Sequence, residues 1–234
     1  MGAHPEIPSE LQPELLEFLL EFISAERKKK FLHCIQYRTR YMTIVLEDLY
    51  QPHNASAVLR TCDCFGIQDV HIIENRNRYE VNPDVALGSS KWLSLKKYNG
   101  TNFNSIICLD ELKTKGYRLI ATTPHEKGYT PETLPLDKKF ALVFGTELDG
   151  LSKAAMEQCE DWIQIPMVGF TESLNISVSA AIFIHSLSER LRNTSNDWPL
   201  SEQDKTDILL QWTLTTIKKS KLMVTDFLKR KQKI

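Results

Sequence analysis

No apolar run in this 234-residue chain reaches the roughly 18 residues needed to span a bilayer. Met1 to Glu6 offers no basic segment followed by an apolar stretch, so no secretory signal is expected. Glu6 stands where an N-myristoylation motif asks for Ser or Thr. Cysteine is scarce and odd in number, five in all, which argues against a disulfide framework and fits a reducing, cytoplasmic setting. Cys62 and Cys64 form a C-x-C with no second pair at zinc spacing, so they read as small residues of a packed helix and no metal is expected. No G-x-G-x-x-G follows the first strand, and P-loop, zincin-helix and G-x-S-x-G patterns are also missing. Ordinary Rossmann, nucleotide-hydrolysing, metalloprotease and esterase chemistries are thereby unsupported.

Charge of one sign is also lacking overall, at a net −1, but its distribution is uneven. Residues 27–40 carry Arg27, Lys28, Lys29, Lys30, Arg38 and Arg40 with no acidic residue. Residues 218–234 carry Lys218, Lys219, Lys221, Lys229, Arg230, Lys231 and Lys233 against Asp226 alone. Either run by itself reads as a solvated face. Two basic ends on a near-neutral body point to a polyanion.

Apolar periodicity predicts a helix over 8–24, opened by Ser9 or Pro13, and a basic connector after it. A strand follows at 43–48. Asn54 suits a helix N-cap, and Gly66 suits the residue just past the end of a helix over 55–65. Strands are expected at 70–73, 118–122, 140–145 and 162–165, and helices at 105–115, 151–160 and 176–192. Residues 75–90 read as a long polar, functional loop. Beyond the polar residues 193–197 the chain looks helical again, with Leu210, Leu214, Ile217, Val224 and Leu228 near one face. Strands alternating with helices predict an α/β domain whose sheet is mostly parallel and flanked by helices. The expected organisation is an N-terminal helical extension over 1–40, the α/β domain over 41–193 and a C-terminal helical extension over 194–234.

Three stretches carry the chemistry. In Asn54-Ala55-Ser56-Ala57-Val58-Leu59-Arg60, the arginine lies within two turns of the helix start, where backbone N–H groups favour an anion and a guanidinium can grip a phosphate. Read on physics alone, Arg60 is as well explained as a surface residue and Asn54 as a cap. In Leu142-Val143-Phe144-Gly145-Thr146-Glu147-Leu148-Asp149-Gly150, a buried strand ends in Gly-x-Glu. Ligands of open α/β sheets bind beyond such carboxyl ends. Gly145 would let a flat ligand approach the backbone, and Glu147 can tether the Asn54 loop or serve the helix dipole. In Ile163-Gln164-Ile165-Pro166-Met167-Val168-Gly169-Phe170-Thr171-Glu172-Ser173-Leu174-Asn175-Ile176-Ser177, a strand ends at a proline and a polar loop precedes a helix rich in small residues. Ser173, Asn175 and Ser177 can aim hydrogen bonds there, whereas Met167 alone reads as packing.

These stretches, in this order, resemble the three signatures of the SpoU family of RNA 2′-O-ribose methyltransferases within the SPOUT superfamily. The short N-terminal helix and the helical C-terminus are most similar to its TrmH-type tRNA methyltransferases. The resemblance implies a C-terminal deep trefoil knot, a homodimer and S-adenosyl-L-methionine as methyl donor. It implies cofactor contacts from Thr122, Thr123, Gly145, Ile165, Met167, Leu174 and Asn175. It gives Arg60 the catalytic role and Asn54, Glu147, Ser173 and Asn175 supporting roles. Lys91, in Gly88-Ser89-Ser90-Lys91-Trp92, and Arg190 and Arg192 match family positions near RNA, and Lys28, Arg38, Lys229 and Arg230 join them from the basic ends. The expected activity is 2′-O-methylation of guanosine-18 in the D-loop of tRNA. The alternatives are a wobble or ribosomal ribose, or a catalytically silent RNA-binding protein.

Overall fold

The computed structural model describes residues 5–79, 86 and 88–231. In chain order its elements are α1 (Gln12–Leu20), α2 (Ala25–Cys34), β1 (Met42–Glu47), α3 (Pro52–Phe65), β2 (Asp69–Ile73), β3 (Ser94–Tyr98), α4 (Asn104–Thr114), β4 (Arg118–Thr122), β5 (Phe140–Phe144), α5 (Lys153–Gln158), β6 (Asp161–Ile163), α6 (Ile176–Arg192), α7 (Glu202–Thr216) and α8 (Ser220–Lys231). They form two compact units, one of Met1–Arg38 with Leu200–Ile234 and one of Thr39–Pro199. No helix among the described residues is long and apolar enough to cross a membrane.

In the larger unit six strands form one parallel sheet in the order β3-β2-β1-β5-β4-β6. A parallel sheet covered on both faces needs strands apolar on both sides, and every residue of β1 and β5 is buried. Alternation then divides the core. Ile44, Leu46, Leu142 and Phe144 face α3 and α6, where Val58, Leu59, Phe183 and Ile184 meet them. Val45, Ala141 and Val143 face the opposite layer with Cys108, Leu109 and Leu112 of α4 and Ala155 of α5. Leu142 is fully enclosed, and trimming such a leucine to alanine costs about 2–5 kcal/mol.

The strand order reverses between β1 and β5. The connection leaving β1 runs to α3 on one face, and the connection leaving β5 runs to α5 on the other. Such a switch point leaves a crevice beyond the carboxyl ends of the two strands.

Several local expectations need correction. Asn54 does not cap α3. Gln51 holds the cap position, Pro52 begins the helix, and Asn54 is buried inside the first turn. Gly66 does end that helix, with φ 80° in the left-handed region. The basic connector is in fact helical over α2, capped by Ser24, whose side chain accepts the Arg27 N–H. β3 is a further strand with no clear sequence pattern, because its residues Ser94–Tyr98 lie at the sheet edge and alternate weakly, with Lys96 and Lys97 exposed. The last core strand is Asp161–Ile163, so Ile165 lies in the loop beyond it. Most of the 80–87 stretch of the expected long loop, and Lys233, lie outside the described residues.

In the smaller unit α1 packs on α7 through Leu15, Leu16 and Leu19, with Ile208 and Trp212 buried on the facing helix. Phe18 meets Phe227 of α8 at 5.6 Å. Arg38, expected to meet RNA, is 4% exposed, and its guanidinium carbon lies 5.2 Å from the centroid of the Trp212 ring. A cation held on an indole face in the interior serves packing.

Candidate functional site

The three signature stretches meet at the β1/β5 crevice. Asn54, one turn into α3, donates from Nδ2 to the Glu147 carboxylate beyond β5. Its Oδ1 accepts from Asn175 Nδ2 at 3.2 Å. Asn175 caps α6 with its own Oδ1, which accepts from the Ser177 N–H at 2.8 Å and the Ser177 hydroxyl at 2.6 Å. One buried amide thus joins a residue from each of three segments that are about ninety and thirty positions apart in the chain. Each amide orientation agrees with its partners, since Asn54 turns Nδ2 to a carboxylate and Oδ1 to an N–H, and Asn175 turns Oδ1 to the Ser177 donors.

Beside this junction opens a cavity of about 460 Å³. Thr122, Thr123, Gly145, Ile165, Met167 and Leu174 all line it, and so do Glu147 and Ser173. Asn54 and Asn175 stand behind it, joined to it through Glu147. The loops are tied at their roots: the Thr122 hydroxyl donates to the Val143 carbonyl at 3.0 Å, and the Thr123 N–H donates to the Ile163 carbonyl at 3.2 Å. Lining residues that sequence reasoning missed include Phe144, His125, Met156 and Phe183. Phe183 had no motif to flag it, since it reads as an ordinary core residue of α6.

Gly145 lines the cavity and has a second, structural part. A Cβ there would overlap the Gly150 carbonyl and the Leu151 nitrogen. The missing side chain therefore lets the 145–151 loop fold back on itself, closed by paired N–H···O bonds between Thr146 and Gly150 at 2.9 and 3.1 Å. Gly150 supplies φ 67° for the return.

Arg60 projects from the exposed side of α3, about 9 Å along the axis from Asn54. Among the described residues no hydrogen bond or ion pair engages its guanidinium. Lys91 is exposed on a short 3-10 turn that follows Gly88, whose φ is 80°. Arg190 and Arg192 are committed internally. Arg190 donates to the Pro131 carbonyl and, at 2.8 Å, to that of Leu134, and Arg192 donates to the Phe65 carbonyl at 2.5 Å. These bonds close the C-terminal end of α6 onto neighbouring loops, a structural use that the expectation of RNA contact did not include. Lys28 and Lys229 are exposed, and Arg230 pairs with Asp226 at 2.5 Å. No group of three or more His, Cys, Asp or Glu side chains among the described residues is placed to hold a metal ion.

The profile of the SpoU rRNA Methylase family matches residues 41–185. A tRNA (guanosine(18)-2′-O)-methyltransferase of Borreliella burgdorferi is 42% identical over 200 residues, covering 86% of this chain and 90% of the relative. A relative with the same name from Thermus thermophilus is 29% identical over 188 residues, 80% of this chain and 95% of its own. Among solved structures, the TrmH/SpoU tRNA modifying enzyme of A. aeolicus matches with a TM-score of 0.73 at 27% identity, over 82% of this chain and 98% of that one.

Proposed function

The chain belongs to the SpoU rRNA methylase family, and from that membership we propose that it methylates the 2′-oxygen of a ribose in tRNA, with guanosine-18 of the D-loop as target. The observation that carries this reading is the Asn54–Glu147–Asn175 junction, which draws all three signatures to the rim of one cavity. The cavity volume of about 460 Å³ falls in the usual range for small-ligand sites. Its walls suit an adenosyl group, with apolar Ile165, Leu174 and Phe144 for a flat base and Thr122, Glu147 and Ser173 for polar edges. When bound, S-adenosyl-L-methionine supplies a methyl group on a sulfonium leaving group. Little chemistry then remains for the protein beyond positioning the ribose and stabilising the charge that develops on its oxygen. Arg60 suits that task as a planar clamp on the adjoining phosphate. Asn54, Glu147 and Asn175 act behind it by holding the three loops in register.

The same reading includes the family's trefoil knot, a cytoplasmic location and a homodimer. It assigns the methyltransferase role to the larger unit and RNA contact to the basic residues of the smaller one. The dimer is supported by a shallow apolar depression on α6 and α3, where Val178 and Ile182 are exposed beside Ala57, Phe65 and Ala181. Light scattering is expected to give about twice the 27.0 kDa chain mass, and Ile182→Glu to halve it. A wild-type monomer with full activity would remove the dimer from this reading.

The smaller unit offers a cleaner target than its charge runs suggested. Lys231 is bonded to Glu14, so reversing it disturbs packing. Lys28, Lys29 and Lys229 are exposed. Reversing these three to glutamate is expected to weaken tRNA binding and to reduce the slope of log affinity against log salt by about 0.7–0.9 per lost phosphate contact. Cofactor affinity is expected to stay constant, and an unchanged salt slope would make these residues a solvated face.

The test of the activity itself uses radiolabelled methyl transfer to tRNA transcripts followed by nucleoside digestion. The expected product is 2′-O-methylguanosine, lost when position 18 is made 2′-deoxy. Cofactor binding by titration without transfer to any RNA would favour a silent binder, and product at the wobble ribose would redirect the substrate.

A further inference from the structure

Two acidic residues at the end of β1 have no place in the reading above. Glu47 is 1% exposed and Asp48 7%. The Glu47 carboxylate accepts the Ser105 hydroxyl, the Ser152 hydroxyl at 2.7 Å and the Ser152 N–H at 2.8 Å. Ser152 caps α5 and closes the cavity loop 145–151. Asp48 turns the other way. It is the one non-glycine residue at positive φ among the described residues, at 53°. Its Oδ1 accepts the N–H groups of Asn75 at 2.6 Å, Arg76 at 2.8 Å and Asn77 at 3.4 Å, and its carbonyl accepts Asn77 Nδ2 at 2.8 Å. Asn75 Nδ2 also donates to the Ser105 hydroxyl at 2.8 Å, which closes a ring through Glu47, Ser105, Asn75 and Asp48.

The segment after β2 is held from its other end too. The buried Glu74 carboxylate accepts the Tyr79 N–H at 2.8 Å, Lys97 Nζ at 3.0 Å and Asn99 Nδ2 at 2.7 Å. Burial pushes this carboxyl up, but those three donors more than offset it and hold it below its ordinary range. The left-handed Asp48 and the buried Glu74 carboxylate thus hold residues 75–79, whose outward side chains are Arg76 and Arg78. Arg76 reaches toward the cavity loop, with Nη1 3.7 Å from Asp149 Oδ2. Both groups are about three-quarters exposed, so this pair is weak and readily exchanged for a phosphate.

We propose that Arg76 and Arg78 grip the RNA backbone beside the target ribose, and that Asp48 is the positioning residue that sets their segment against the mouth of the cavity. The inference rests on the proposed RNA methyl transfer, and the acceptor it names is a polynucleotide phosphate. Rigid backbone presentation matters because the N–H groups of three successive residues converge on one carboxylate oxygen, which limits how far the arginine turn can move while they hold.

The test is steady-state methyl transfer to tRNA with cofactor affinity measured by titration. Wild-type enzyme must first transfer methyl groups in the same assay, and failure there strikes the proposed function and not this inference. Arg76→Ala with Arg78→Ala, both exposed and safe for folding, is expected to raise KM for tRNA about tenfold or more and to reduce the salt slope by about 0.7–0.9 per contact. Cofactor Kd is expected to stay within about twofold, because neither side chain lines the cavity. Asp48→Gly keeps the positive φ and removes only the acceptor, so it is expected to reproduce the KM rise. Asp48→Asn keeps an acceptor and tolerates that φ, so it is expected to recover to within about threefold of wild type. A purely structural aspartate would lower Tm in the glycine variant and leave KM for tRNA alone, and that result would overturn its positioning role. Wild-type KM and salt slope in the double arginine variant would overturn the proposed grip.

Discussion

Arg60→Ala is expected to lower single-turnover methyl transfer by about 10²–10³-fold, the loss typical of removing one preorganised stabiliser of developing negative charge. Cofactor affinity is expected to stay within about twofold of wild type, since Arg60 is absent from the cavity wall. Folding is not at stake, because the side chain is exposed on α3 and makes no hydrogen bond or ion pair among the described residues. Arg60→Lys is expected to fail nearly as badly, because an ammonium offers a point charge where a planar fork is needed. A rate within about threefold of wild type for the alanine variant would remove Arg60 from the chemistry, since that is less than one charge-assisted hydrogen bond contributes.

Gly145→Ala is expected to abolish cofactor binding at working concentrations, a loss of about 100-fold or more. The new methyl group would overlap the Gly150 carbonyl and Leu151 nitrogen, which are backbone atoms and cannot rotate away. The 145–151 loop would have to open, and with it go Glu147 and the bond to Asn54. The comparison that isolates this cause is Gly150→Ala. There a Cβ meets nothing within 4 Å, but φ is 67°, so only left-handed strain of about 1–2 kcal/mol is added. Titration calorimetry is expected to rank wild type above Gly150→Ala and both far above Gly145→Ala. Equal affinities for the two variants would mean that loop closure does not shape the cavity.

What was legible in the chain divides along a physical line. β5 could be read because Phe140–Phe144 is apolar at every position, and α6 because Asn175 announces its start and its apolar period is sustained over four turns. α2 could not, since only Phe31 among its ten residues is buried and its mean character is strongly polar. β3 was hidden for the same reason, being half-exposed at an edge.

The site shows the same division. Asn54, Gly145, Glu147, Ser173 and Asn175 were all visible as residues, because Gly-x-Glu at a strand end and small polar residues at a helix start are local patterns. That Asn54 is a bridge and no cap, that Gly145 also makes room for its own loop, and that Arg38 lies on Trp212 while Arg190 and Arg192 bond neighbouring loops followed only from contacts between distant segments. Glu47 and Asp48 are adjacent in sequence and chemically alike, yet one holds the cavity loop and the other the arginine turn. By itself the sequence determined where strands and helices alternate and which side chains stand at their ends, because those depend on near neighbours along the backbone. Only the tertiary structure decided which of those side chains meet, because the parallel sheet places the carboxyl ends of β1 and β5 side by side although nearly a hundred residues separate them.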